Sequence, residues 1–530
     1  MHKLTSMRYI RLATFVLGSM IVSAWTIFRF FTQAPSYDLL GQQVLAHQWL
    51  HGMHTASTIG SANYILKMLF IYIPLDILPG SPRLKLIIMT MLINIVTFVL
   101  ICIALEMLWK HFFPHVRISK LFYLVLLWLS LLSGSVYWAQ FSNSRNLEVA
   151  AGVFLIATYL LFAKRKPWHQ YILLLIFTSL LFFSDPLQIY MTLLPVLLFL
   201  AFEWFRGNRT KQTFQPLLLL IAISILGILG SRLLFALVHD LAGVQFYTTG
   251  NHLTLTVTTI LKSIKLTIKE LASLYSGGAG AGFPRQLLNL GSGVVLLGMS
   301  VWVYFTKKTS RRPLILIAVI FIVNIALYIL SGQALIAETS RYLIMTVPAF
   351  ILLTIIVLQT FNKNRYMYLF IGLVLAFNVV SLAYAASVHW DSSFKIDKHI
   401  SAADLYMGNH KFPYGYASMD TAIPADYYSN ESSKLLPLSC LPDSKVKPAD
   451  LFFDTSAFSK IVNTPAIQVP FILDHQASIT NSPNVCNATQ IAQQLGPWQR
   501  IDKLSDGSEA LIYNANSIKV ALHQYKNFFR

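Results

Sequence analysis

From Leu12 to Val388 the sequence is a succession of apolar runs, most of them long enough to cross a membrane, and lysines and arginines gather in every second gap between them. A helix needs about 20 mostly apolar residues to cross the hydrocarbon layer, and short loops rich in Lys and Arg stay on the cytoplasmic side. The runs read as spans at 12–31, 86–108, 121–139, 147–163, 170–184, 187–204, 216–238, 287–306, 313–331, 343–361 and 366–388, about 11 transmembrane helices. The basic clusters between them are Lys110/Arg117/Lys120, Lys164/Arg165/Lys166, Arg206/Arg209/Lys211, Lys307/Lys308/Arg311/Arg312 and Lys363/Arg365. With the N-terminus inside, every one of them is cytoplasmic. Residues 64–78 are apolar but short, and Lys67, Pro74 and Asp76 interrupt them. Counting them as a span would put Lys164–Lys166 and most later clusters outside. They therefore read as an interfacial or re-entrant part of a long first external loop, residues 32–85.

Charged residues make up only 12% of the chain and the mean hydropathy is +0.58, where a soluble domain carries roughly 25% charge. The formal net charge of +19 is spread over short inter-helix loops, which fits retention at a cytoplasmic membrane face and no nucleic acid. Lys3, Arg8 and Arg11 before an apolar run resemble a signal peptide, but the run is long and lacks a small-residue cleavage site, so it reads as a retained first span. Residues 1–388 are thus expected to form a polytopic α-helical membrane domain with long external loops at 32–85 and 239–286. Residues 389–530 become a separate extracytoplasmic α/β domain. Leu451–Phe453, Ile467–Val469 and Ala510–Tyr513 read as strands there, with a helix near 488–495. Cys440 and Cys486 both fall in that domain, and in an oxidising compartment a disulfide between them would close a loop of about 46 residues, worth up to ~4 kcal/mol. Two unpaired thiols are the alternative.

Charges at membrane depth cost about 2.5–3.5 kcal/mol each on insertion scales. Outside the cytoplasmic clusters, nearly all charges of the membrane domain converge on the external face. Asp38 comes just after the first span, placed either as a general base for an acceptor or as a helix N-cap for 39–50. His47 and His51, with His54 beyond, share a helix face; the spacing can hold a metal, and it equally suits interfacial histidines. Arg145 and Glu148 join two spans outside, where the Arg could hold a phosphate and the Glu could help bind a cation. Asp185, in Ser184-Asp185-Pro186, reads as a helix N-cap before Pro or as a second active-site carboxylate. Glu338 and Arg341-Tyr342 precede a late span, with Arg341 suited to an anionic headgroup or to anchoring at the interface. Lys262, Lys265 and Lys269 lie on an otherwise apolar helix before a glycine run at 276–282, which suits a mobile cover over a lipid-facing site or a plain surface helix and linker.

This arrangement resembles GT-C-type multispan membrane glycosyltransferases, which use polyprenyl-phosphate-linked sugars. The likeness rests on the long first external loop with Asp38 after span 1, the polar residues Asn143 to Glu148 and Asp185, Arg341-Tyr342 before a late span, and the external tail with Gly415-Tyr416-Ala417-Ser418, Thr421 and Ser429. Asp38 stands alone where better-known members carry paired acids, and Arg145 and Glu148 replace an acidic motif in the second external loop. The resemblance implies inverting transfer of a sugar to an extracytoplasmic glycan, lipid or protein, with Asp38 as base. The lipid phosphate would be stabilised by Arg341 with Tyr342, Arg145 and Lys85. No cofactor is specified; a divalent cation would fall to Glu148, Glu338, His47 and His51. The implied location is a bacterial plasma membrane, with the N-terminus cytoplasmic. An inactive scaffold binding glycan and a lipid-linked-sugar flippase are the competing classes. The absence of a visible repeat and the scarcity of mid-span charges speak against the second.

Overall fold

A computed structural model describes residues 2–32, 50, 58–60, 67–132, 146–162, 167–206, 211–242, 245–247, 256–276, 283–331, 343–360, isolated positions between 366 and 380, 394–418, 421–423, 425, 434–440, 446–448, 463–473 and 488–522. Asp38, His47, His51, His54, Arg145, Glu338, Arg341, Tyr342, Cys486 and the strand expected at 451–453 lie outside the described residues.

The membrane domain is built of helices α1 (His2–Thr32), α2 (Pro82–Phe112), α3 (Lys120–Leu132), α4 (Asn146–Phe162), α5 (Trp168–Ser184), α6 (Leu194–Arg206), α7 (Lys211–Ala242), α8 (Val257–Ser276), α9 (Phe283–Thr306), α10 (Arg311–Leu330) and α11 (Thr346–Thr360). Among the described residues five segments are long and apolar enough to cross a membrane: Met7–Ala24, Leu84–Phe112, Ile189–Arg206, Leu217–Asp240 and Lys308–Leu330. Shorter apolar helices occupy Asn146–Leu161, Trp168–Ser184, Leu290–Thr306 and Thr346–Thr360. Local chemistry sets the ends. Ser81 caps α2 by accepting the Leu84 N–H at 3.4 Å, and Pro82 takes the first helical position, where no amide donor is needed.

The interior is apolar with a few polar clamps. Every residue of α11 from Thr346 to Leu358 is buried, as a helix without a polar stripe must be when neighbours surround it. The ring of Trp109 lies 4.4 Å from Phe113 and 5.8 Å from Phe122. Asn94 Nδ2 donates to Thr26 Oγ1 at 2.7 Å, joining α2 to α1, and Arg11 Nε donates to Glu106 Oε1 at 3.0 Å.

Residues 67–76 form a short helical stretch of irregular pitch. Lys67 leads into a π-helical turn, Met68–Tyr72, and a short helix, Ile73–Asp76. Ile71 and Tyr72 pack with Met89 and Ile93 of α2, Leu147 of α4 and Phe183 of α5. Gly80, at φ +150°, then turns the chain into α2. The two long loops also meet: β1 (Thr58–Gly60) pairs in parallel with β2 (Gln245–Tyr247), Ile59 opposite Phe246.

The C-terminal region holds a six-stranded sheet of β3 (Tyr414–Ser418), β4 (Lys434–Cys440), β5 (Val446–Pro448), β6 (Gln468–Ile472), β7 (Arg500–Lys503) and β8 (Glu509–Asn514), in the order β5-β4-β3-β6-β8-β7. The central pairs β3/β4 and β3/β6 are parallel and the outer pairs antiparallel. Alternation with period 2 divides the side chains between two faces. Tyr414, Tyr416, Leu511 and Tyr513 pack with Ile491 and Leu495 of α13 (Ala488–Leu495) and Ile518 of α14 (Ala515–Leu522). Ala417, Ala510 and Ile512 pack with Ile400, Ala403 and Met407 of α12 (Phe394–Asn409). The strands expected at Ile467–Val469 and Ala510–Tyr513 are β6 and β8, and the helix near 488–495 is α13. Cys440 ends β4; its side chain is not among those described.

Gly415 sits in β3 because a Cβ there would stand 2.9 Å from Pro470 Cγ of β6 and 3.0 Å from Met407 Sδ of α12. The methionine end can swing away but the proline ring cannot. Gly415→Val is therefore expected to destabilise this domain by about 1–3 kcal/mol, measured as earlier protease cleavage within residues 389–530 of the full-length protein during a denaturant titration.

Candidate functional site

The membrane domain gathers its buried charges where α4 begins and α5 ends. Glu148 lies in the first turn of α4, where a carboxylate is favoured by the unsatisfied amides of the helix start. Its Oε1 accepts a hydrogen bond from Ser184 Oγ at 3.1 Å, at the last residue of α5. Its Oε2 faces Lys67 Nζ at 3.3 Å, and both side chains have no solvent exposure at all. Asp185, the next residue, is likewise buried, and its charge reaches Glu148. The Asp185 backbone is extended; Oδ1 accepts from Leu187 N at 3.2 Å and Oδ2 from Gln188 Nε2 at 3.0 Å. Gln188 Oε1 in turn accepts from Thr192 Oγ1 at 2.7 Å.

Two π-helical turns border this cluster. Met68–Tyr72 follows Lys67 directly, and Ile189–Leu193 follows Gln188. A π turn inserts an extra residue and re-aims its neighbours, and such turns concentrate at functional sites. Gly152 lets α4 approach the second turn: a Cβ there would stand 2.5 Å from Thr192 Oγ1 and 2.6 Å from Gln188 Oε1. On the apolar side, Leu147, Phe183 and Tyr72 close the cluster, and Phe183 meets Phe235 of α7 edge-on at 4.6 Å.

Of the residues picked out by sequence, Glu148 and Asp185 come together through Ser184. Asp185 closes α5 as its C-cap, its side chain accepts the Leu187 amide two residues on, and the N-cap of the next helical turn is Gln188; Asp185 also belongs to the buried cluster. Lys85 stands apart: Nζ donates to the Asp76 carbonyl at 2.6 Å and lies 3.9 Å from Asp76 Oδ1, so its head group fastens the end of the short helix to α2. In the sequence Lys67 is one of three residues that interrupt the apolar run 64–78, with nothing local to couple it to Glu148. The available signal was a lysine inside an apolar run, which demands a buried partner. Gln188 and Thr192 carried no such signal. Among the described residues, no group of three or more His, Cys, Asp or Glu side chains stands together as metal ligands would.

The C-terminal domain has a second polar cluster. His399 Nδ1 of α12 is 2.8 Å from Asp506 Oδ2 in the β7–β8 turn, and Thr421 Oγ1 lies 3.4 Å from His399 Nε2. Asp506 Oδ1 accepts from Ser508 N at 3.1 Å and Ser508 Oγ at 2.6 Å. Burial pushes the Asp506 carboxyl up, but the hydrogen bonds of Ser508 and His399, with the histidine's charge, outweigh it and hold the group below its ordinary value. A carboxyl whose pKa is lowered by folding contributes stability above its unfolded pKa of about 3.9 and loses it as pH falls through the folded value. The tie between α12 and the β7–β8 turn is thus expected to weaken in acid below about pH 4. Asp506→Asn should remove that acid-dependent part of the stability, followed as protease resistance of the C-terminal region against pH.

Compared with known proteins, the sequence matches no family model and no curated relative.

Proposed function

We propose that this chain is a polytopic membrane glycosyltransferase of GT-C-like architecture, moving a sugar from a polyprenyl-phosphate donor to an extracytoplasmic acceptor. The observation that carries this reading is the wholly buried Lys67–Glu148 pair with Asp185 beside it, at the ends of apolar helices. Ionisable groups placed so deep mark functional sites by default. The cluster draws on the first long loop through Lys67, on the first turn of α4 through Glu148 and on the segment between α5 and α6 through Asp185, and the resemblance takes site residues from these parts of the chain.

The reading takes about 11 spans, a cytoplasmic N-terminus and the six-stranded domain outside. The parallel pairing of β1 with β2 supports the topology. Paired strands share one side of the membrane, so an even number of crossings must separate Gly60 from Gln245. Helices α2 to α7 supply six among the described residues; a further span at 67–76 would leave the strands on opposite sides.

In the proposed reaction the Asp38 carboxylate takes the proton of the acceptor hydroxyl. The oxygen attacks the anomeric carbon from the face opposite the phosphate. The bond from that carbon to the phosphate oxygen breaks, and the polyprenyl phosphate leaves with the electron pair, its charge met by Arg341 and Arg145. Lys67, near the end of the first loop, pairs with Glu148 beside Asp185 and so ties that end of the loop to α4; Lys85 ties Asp76 to α2. The experiment is turnover of undecaprenyl-phosphate sugars by purified protein in nanodiscs, with counterflow in vesicles as the parallel assay. Sugar release that requires Asp38 supports the transferase. Counterflow without turnover would replace it with a carrier, and neither activity would leave a scaffold.

A further inference from the structure

Helices α9 and α10, with parts of α8 and α11, enclose a groove of about 720 Å³. Its walls run along α9 from Leu290 to Phe305, which is about 22 Å at 1.5 Å per residue. That exceeds half of a hydrocarbon core of about 30 Å, so one chain of one leaflet fits lengthwise. Apart from Tyr304 the lining is apolar or self-satisfied: the hydroxyl of Ser300 already donates to the Leu297 carbonyl at 2.7 Å. The groove opens sideways, since Val294, Phe305 and Ile322 of its walls are each about two-thirds exposed.

Helix α8 adds charge beside the groove. It seats on the bundle through the buried small residues Ser263 and Thr267, the latter bonded back to the Ser263 carbonyl at 2.7 Å. Leu261, Ile264 and Ile268 stay exposed, and Lys262, Lys265 and Lys269 are exposed beside them. Ile268 lines the groove, with Lys265 one turn before it and Lys269 next to it. The groove takes Ile268 and Leu271 from the middle of α8, between and beyond these two lysines. An apolar trough flanked by two exposed ammonium groups is complementary to an amphiphile with a phosphate head.

We infer that α8 and α9 form a binding site for one anionic phospholipid, its acyl chain in the groove along α9 and its phosphate on Lys265 and Lys269. A phospholipid is the occupant because the groove opens directly to the bilayer, where phospholipid is the bulk species. The site does not depend on the transferase reading.

Native mass spectrometry of the full-length protein, delipidated and offered phosphatidylglycerol or phosphatidylcholine, tests it. The wild type is expected to retain one phosphatidylglycerol in preference to phosphatidylcholine. The double substitution Lys265→Gln/Lys269→Gln should cut that preference about 30-fold, the equivalent of about 1 kcal/mol for each lysine. Gly293→Phe should abolish retention of both lipids, because the added ring enters the groove; a Cβ at Gly293 meets only Phe350 Cζ, at 4.0 Å, so the helix itself accepts the change. Equal retention of the two lipids by the wild type, or a preference untouched by the lysine substitutions, overturns the site. So does lysine-dependent displacement of phosphatidylglycerol by equimolar undecaprenyl phosphate, which would make it a site for the sugar carrier.

Discussion

Lys67→Met is expected to destabilise the membrane domain by about 3–5 kcal/mol, because it strands the Glu148 carboxylate in a place with no water. The geometry leaves little room for rescue. Glu148 is wholly buried, and the Ser184 hydroxyl at 3.1 Å and a backbone amide are uncharged donors that do not replace the ammonium at 3.3 Å. Glu148→Met is expected to destabilise as well, by removing the carboxylate that faces the Lys67 ammonium at 3.3 Å. The double variant Lys67→Met/Glu148→Met should cost far less than the sum, since two apolar side chains of comparable size replace a pair whose mutual attraction barely offsets its desolvation. Thermal unfolding of the purified single and double variants measures the cycle. Independent, additive costs would mean that the two side chains do not act as a pair. The double variant also separates structure from function. If it is stable yet inactive in sugar transfer, the charges serve the reaction; if it is stable and active, they only hold the first loop in place.

The second large effect is on turnover. Asp38→Asn is expected to lower sugar transfer about 10²–10⁴-fold, the range for loss of a general base, with the unfolding temperature unchanged. The amide keeps the shape of the carboxylate and cannot accept the hydroxyl proton. Normal turnover in folded Asp38→Asn protein would remove Asp38 from the mechanism and leave Asp185 as the carboxylate to test. Asp185→Asn is a different experiment. The Asn oxygen can still accept the Leu187 amide, but its NH₂ presents a donor to Gln188 Nε2, where the native oxygen accepts. A loss of stability is expected there alongside any loss of activity.

Most of the helical framework is legible in the chain because its driving force is one-dimensional. A run of about 20 apolar residues is stable as a helix wherever it lies in the membrane, so α2, α9, α10 and α11 fall within a few residues of the runs that announce them. In the C-terminal domain β6, β8 and α13 are legible for a similar local reason. Strand β4 is not: Pro437 interrupts its apolar run, and only the parallel alignment with β3, Ala417 opposite Pro437, accommodates it. Helix α12 was equally hidden, since its apolar face becomes meaningful only against the sheet.

The candidate site divides along the same line. Glu148 and Asp185 declare themselves in the sequence as acids at the ends of apolar runs. Their meeting through Ser184, and the lysine that faces Glu148, belong to the tertiary structure, since Lys67 and Glu148 are far apart in the chain and no local rule couples them. Periodicity and length determine which segments are helices and where their charges cluster, because those preferences act over a few turns. Which buried charge finds which partner is decided by packing: an ion in a medium without water must be paired by whatever the fold brings within reach.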